Sequence, residues 1–139
     1  MRNKLIALDT NIFIYYLHQD PLFGEKAKYI FSELIAKKIK ILTSVITLTE
    51  LLSLKQSEKD TAKLKNFFLE IPNLETKEVS EDIALEAAKI RRKYGFHLPD
   101  AIQLATALVG KADMFITNDT KLHGFKELKI LSLQQYAKR

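Results

Sequence analysis

Leu5-Ile6-Ala7-Leu8-Asp9-Thr10-Asn11 sets four consecutive apolar residues directly before an acid and two small polar residues. A short apolar run without alternation is the pattern of a strand buried on both faces within a parallel sheet. Such a strand is expected to sit centrally. Its polar end then falls at the carboxyl edge of the sheet, where open α/β folds bind their ligands.

The rest of the chain supplies the partners such a strand needs. Ala27, Ile30, Phe31, Leu34 and Ile35 recur at helical spacing, with Lys26, Lys28, Glu33 and Lys37 among the residues on the other faces, so an amphipathic helix is predicted. Lys40 to Thr43 reads as a second short strand, followed by an apolar helix from about Ser44 to Lys55. Leu64, Phe67, Phe68 and Ile71 mark a helix that stops before Pro72, and Leu74 to Val79 fits an edge strand. Ser80 is placed to cap a helix whose inner face is Ile83, Ala87, Ile90 and Tyr94 and whose exit is Gly95. Pro99 suits a helix start; that helix continues through Ala101 to Val109 and ends at Gly110. Met114 to Thr117 is the next strand and Leu128 to Leu133 the last, with a short polar tail behind it. Strands alternating with helices imply right-handed crossovers, hence a three-layer α/β/α architecture around a central parallel sheet of four to five strands. A single domain over residues 1–139 is expected, since no repeat or linker interrupts the pattern.

Composition narrows the chemistry. There is no cysteine, which removes disulfides, thiolate metal sites and thiol nucleophiles together and suits a reducing cytosol. Only four apolar residues precede Asp9, too few for a signal peptide core, and no run approaches the roughly 18 apolar residues of a membrane span. A cytoplasmic protein without a membrane segment is expected. The net charge is +5, but with four of the 17 acids set aside, 22 Lys and Arg stand against 13, an excess of +9. A surface so basic favours a polyanionic partner.

Those four acids are singled out by their isolation. Leu5 to Leu17, Thr43 to Leu54, Leu98 to Gly110 and Met114 to Thr120 each hold one charged residue, and each time it is an acid: Asp9, Glu50, Asp100 and Asp119. A carboxylate among apolar neighbours loses hydration and persists only when paired or coordinated. No Lys or Arg lies in these windows, so a divalent cation is the natural common partner, and an all-oxygen set suits Mg²⁺ or Mn²⁺ better than Zn²⁺. Taken singly, Asp9 and Asp119 could be helix caps and Asp100 could complement a helix dipole. Glu50 has no such ready explanation, because its helix leaves only a narrow polar face.

Asp9-Thr10-Asn11 after an apolar strand, Glu50 in an apolar helix, Leu98-Pro99-Asp100-Ala101 opening a helix, and Thr117-Asn118-Asp119 after a strand together resemble the PIN domain. Order and spacing are close to those of bacterial and archaeal VapC toxins. The resemblance implies a PIN-like fold and a Mg²⁺- or Mn²⁺-dependent endoribonuclease. It further implies a homodimer whose RNA cleavage is held in check by a small antitoxin protein, and products with a 5′-phosphate and a 3′-hydroxyl. The family's four acids map onto Asp9, Glu50, Asp100 and Asp119 as catalytic and metal-binding residues, with Asp119 at the family's most variable acidic position. Asn11 matches a residue that supports the first Asp, and Thr117 a hydroxyl that orders the last acidic loop.

Two other function classes stay open at this level. A metal-dependent aspartyl-phosphate phosphotransfer protein also places acids at strand ends, although Asp9-Thr10-Asn11 lacks the second acid that chemistry uses. A PIN-like module that binds RNA or protein without turnover is the other. His18, His97 and His123 share no zinc-ligand spacing, and no glycine-rich phosphate loop exists. Arg91, Arg92 and Lys93 with Tyr94 form a basic, aromatic turn that could contact RNA, and Lys121 follows the last acid.

Overall fold

A computed structural model gives the fold and describes residues 4–139. Five strands, β1 (Leu5–Leu8), β2 (Lys40–Ser44), β3 (Leu74–Lys77), β4 (Met114–Ile116) and β5 (Ile130–Leu131), make one sheet in the order β3-β2-β1-β4-β5. Every pairing is parallel, and Ile6 lies level with Ile41 on one side and Met114 on the other. β1 is therefore the central strand. From it the chain steps outward to β2 and β3, then returns to the opposite edge of β1 as β4. The direction of winding reverses between β1 and β4, which opens a crevice beyond their carboxyl ends.

Among the described residues seven helices cover the sheet: α1 (Thr10–Leu17), α2 (Gly24–Ala36), α3 (Val45–Leu52), α4 (Glu58–Leu69), α5 (Glu81–Tyr94), α6 (Leu98–Val109) and α7 (Leu133–Ala137). Strand residues alternate between two cores. Ile6, Leu8, Ile41, Met114 and Ile116 face one, built with α1, α2, α3, α4 and α7. Ala7, Leu42 and Phe115 face the other, built with α5 and α6. Burial on both faces is why Leu5–Leu8 shows no polar alternation. Phe13 anchors the first core, its ring 5.4 Å from both Phe31 and Phe68.

Four expectations need correction. The helix expected from Ser44 to Lys55 runs Val45–Leu52, with Ser44 as its N-cap accepting from the Ile46 N–H at 3.1 Å. Phe67 is 59% exposed; Leu64 and Phe68, one turn apart, carry the buried face of α4 instead. The edge strand ends at Lys77, short of Val79. At the C-terminus, β5 is only Ile130–Leu131, and the expected polar tail is the helix α7. Ser132 accepts from the Gln135 N–H while the Gln135 side chain accepts from the Ser132 N–H, a reciprocal cap that starts a helix at once. Leu133 and Tyr136 then bury into the first core. Gly95 ends α5 as expected, with φ of 74° in the left-handed region. Among the described residues, no helix is long and apolar enough to cross a membrane.

Candidate active site

The crevice between β1 and β4 collects the four isolated acids from four elements. Asp9 follows β1 directly and caps α1, its Oδ1 accepting from the Thr10 N–H at 2.8 Å. Its backbone N–H donates to the Ile116 carbonyl at the end of β4, which fixes it at the junction of the two central strands. Oδ2 accepts from the Thr117 hydroxyl at 2.7 Å. Glu50 reaches in from α3, where its Oε1 accepts from the Thr10 hydroxyl at 2.6 Å. Asp100 lies in the first turn of α6. Asp119 caps the 3₁₀ turn Thr120–Gly124, its Oδ1 accepting from the Lys121 N–H at 3.0 Å.

Mutual electrostatics show the convergence. Asp9 is 6% exposed, and burial pushes its carboxyl up to about 6; the charges of Asp100 and Glu50 push the same way, against hydrogen bonds from Thr117 and Thr10. Asp100 is also raised above the ordinary carboxylate range, first by burial and then by Asp119 and Glu50, with His97 and Lys121 opposing. Each acid is thus felt by another from a different element. Tyr15 stands in the same field, its hydroxyl held above its usual range by burial and then by Asp20, Asp9 and Asp119.

The donor set fits a hard divalent cation: carboxylate oxygens from four elements, and, among the described residues, no Lys or Arg ion-paired to any of them. Among the described residues no three His, Asp or Glu side chains stand in a ready coordinating group. Three of the acids accept from neutral donors instead: Asp9 from the Thr10 N–H and the Thr117 hydroxyl, Glu50 from the Thr10 hydroxyl, and Asp119 from the Lys121 N–H.

The expected supporting residues divide. Thr117 is fully buried and bridges two acids, donating to Asp9 and accepting from the Asp119 N–H at 3.0 Å. Asn11 points outward, exposed on α1, and the contacts to Asp9 come from Thr10 and Thr117. Lys121 stands beside the acids, since its charge acts on Asp100. Arg91, Arg92 and Lys93 are exposed at the end of α5. Arg91 donates to the Phe96 carbonyl, Lys93 pairs with Glu127 at 3.7 Å, and Arg92 borders a hollow with Leu98 and Ile102.

Sequence reasoning missed a neutral polar network behind Glu50. Thr10, Thr43, Thr47 and Gln103 are all buried and hydrogen-bonded to one another. They carry no charge, so a search for isolated charges passes over them. The available signal was their spacing: Thr47 and Glu50, like Asp100 and Gln103, are one helical turn apart on apolar helices.

Comparison with known proteins agrees with this architecture. No curated protein sequence matches the chain significantly. Solved structures do share the fold. VapBC2 from Rickettsia felis, bound to a DNA fragment from its promoter, aligns with a TM-score of 0.75 at 23% identity, covering 92% of this chain and 98% of that one. A toxin-antitoxin complex from Klebsiella pneumoniae aligns at 0.64 and 26% identity, covering 88% and 92%. VapC20 from Mycobacterium tuberculosis, a toxin that cleaves the sarcin-ricin loop, aligns at 0.67 and 18% identity, covering 89% and 98%. The sequence pattern of the PIN domain matches residues 6–129, almost the whole length over which the sheet and its acids are built, and the chain accordingly belongs to the PIN domain family.

Proposed function

We propose that this chain is a Mg²⁺- or Mn²⁺-dependent endoribonuclease, acting as one PIN nuclease domain and as the toxin of a toxin-antitoxin pair. The observation that carries the reading is the meeting of Asp9, Glu50, Asp100 and Asp119 at the switch point, with the Asp9 carboxyl pushed up to about 6. Clustered acids whose carboxyls are raised by burial and by one another's charge are characteristic of a functional site. Likeness to VapBC assemblies supports an antitoxin partner, and the likeness to a toxin that cleaves the sarcin-ricin loop supports RNA as substrate. Cytoplasmic location and a homodimer complete the proposal by family expectation.

In this reading Asp9, Glu50, Asp100 and Asp119 would hold the cation. Bound there, a divalent ion supplies charge neutralisation at the phosphodiester and activation of the attacking water. The chain's own residues do the rest. Thr10 and Thr117 hold Asp9 from both sides, so its two oxygens keep a fixed direction. Glu50, anchored through one oxygen by Thr10, keeps the other for a water proton or for the ion. Thr117 holds the Asp119 loop against Asp9. Lys121, whose charge acts on Asp100, would meet a phosphate, and Arg91, Arg92 and Lys93 in the last turn of α5 would add basic contacts to RNA.

Purified protein should cleave structured or single-stranded RNA with Mg²⁺ or Mn²⁺, and both chelation and Asp9→Asn should abolish cleavage. Cleavage that survives either treatment rejects the site. A stable aspartyl-phosphate after treatment with an acyl-phosphate donor rejects the nuclease class.

A further inference from the structure

Thr10 has one hydroxyl proton and three polar neighbours. Its Oγ1 lies 2.6 Å from Glu50 Oε1, 2.9 Å from Thr47 Oγ1 and 2.9 Å from Gln103 Nε2. An ionised Glu50 can only accept, so the proton belongs to that bond. The lone pairs left on the Thr10 oxygen then need donors. Gln103 provides one from the side-chain amide of a residue 2% exposed, and the second proton of the same nitrogen goes to Thr47 Oγ1 at 2.6 Å. Because an amide nitrogen does not accept, neither hydroxyl can turn its proton toward Gln103. Thr43 closes the network behind, 2.8 Å from Thr47 and 3.4 Å from the Leu8 carbonyl.

The amide orientation follows from the same count. With its oxygen turned to the two threonines, Gln103 would compete with Glu50 for the Thr10 proton. With its nitrogen there, both amide protons go to the threonine oxygens and the Thr10 proton is left to the carboxylate. Gln103 sits one turn after Asp100 on α6, Thr47 one turn before Glu50 on α3, and Thr10 directly after Asp9 at the start of α1. Three acid-bearing elements therefore meet in one buried hydrogen-bond cluster.

We propose that Gln103 is a positioning residue for the acidic centre: by donating to Thr10 and Thr47 at once, it commits the Thr10 hydroxyl to Glu50 and holds that carboxylate beside Asp9. The role rests on the metal-nuclease reading of the centre. An apolar side chain of the same length would leave both hydroxyl oxygens without that donor, so that Thr47 Oγ1 competes with Glu50 for the Thr10 proton. A carboxylate of the same shape would draw the Thr10 proton away from Glu50.

The test compares wild type, Gln103→Met, Gln103→Glu, Thr10→Val and the Gln103→Met/Thr10→Val double variant. Mn²⁺ affinity is measured by calorimetry without RNA, kcat and KM by RNA cleavage, and folding by thermal melting. Gln103→Met should weaken Mn²⁺ binding and lower kcat by about tenfold each, the scale of a lost supporting contact at a metal centre, with KM for RNA within about twofold. In the Thr10→Val background the same substitution should cost nothing further, since the hydroxyl it acts through is gone. Gln103→Glu, nearly identical in volume, should lose at least as much, and it carries the test if Gln103→Met does not fold. Wild-type Mn²⁺ affinity and kcat in either folded Gln103 variant, or losses that multiply in the double variant, overturn the inference. A wild-type chain that neither binds Mn²⁺ nor cleaves RNA overturns the nuclease reading and this role with it. A wild-type chain that does both while the Gln103 variants match it overturns this role alone.

Discussion

Asp9→Asn should stabilise the metal-free protein, and by an amount that grows with pH. Burial and the neighbouring carboxylates move the Asp9 carboxyl from 3.8 to about 6 in the folded chain. Below the unfolded value both states hold the proton and Asp9 costs nothing. Between about 4 and 6 the unfolded chain ionises while the folded chain keeps its proton, so stability falls as pH rises; above about 6 the folded chain is ionised as well and the full cost has accrued. A shift of roughly 2 units corresponds to about 3 kcal/mol. For a chain of this size that is a difference in melting temperature of about 10 °C. Asparagine keeps the shape, can still accept from the Thr10 N–H, and does not titrate. The assay is thermal melting of both proteins in chelator at intervals from pH 4 to pH 8. The variant's advantage should widen by about 10 °C between pH 4 and pH 7 and then level off. An advantage that stays constant with pH, or a wild type that gains on the variant as pH rises, would refute the claim that Asp9 is a repelled, desolvated carboxylate.

Thr117→Val removes the hydrogen bond that lowers the Asp9 carboxyl and leaves the Asp119 N–H unpaired. It should shift the stability window of wild type to higher pH and reduce RNA cleavage by roughly 10- to 100-fold, read from initial rates at saturating Mn²⁺. Phe13→Ala empties the space between Phe31 and Phe68 and should cost about 3 to 5 kcal/mol in urea denaturation; under 1 kcal/mol would contradict its place in the core. Lys121→Ala should weaken RNA binding several-fold with little change in kcat, and it should lower the slope of log affinity against log salt by about 0.7 for one lost phosphate contact.

The layer structure was legible because the central strands are buried twice over, which forces near-continuous apolar runs at Leu5–Leu8 and Met114–Ile116. The acids were legible for the opposite reason, as single charges in stretches that otherwise exclude charge. What escaped lies where neither signal operates. α7 is five residues long and begins at a polar cap, so its apolar content, Leu133 and Tyr136, is too sparse to show a period. Only the Ser132/Gln135 pairing announces it. Phe67 was placed inward because Phe67 and Phe68 are equally apolar, and only packing against Phe13 decides which one turns in. Asn11 follows a family pattern, whereas in the structure the Asp9 oxygens accept from the Thr10 N–H and the Thr117 hydroxyl.

The placement of threonines explains how a carboxylate cluster is tolerated in a fold of this size. Charged partners such as Lys or Arg would neutralise the acids and compete with any cation for them. A hydroxyl instead supplies one directed proton without adding charge, so it fixes a carboxylate without neutralising it. Thr10 joins Asp9 to Glu50, Thr117 joins Asp9 to Asp119, and Asp9 is common to both. The acids are thus held near one another by neutral donors, and burial together with their mutual repulsion keeps the carboxyls of Asp9 and Asp100 raised. Two apolar cores provide the stability against which this repulsion is set, and β1, shared by both, carries Asp9 at its end. The central strand therefore couples the best-packed part of the molecule directly to its least comfortable charge, which is why a change at Asp9 should register in global stability as well as in chemistry.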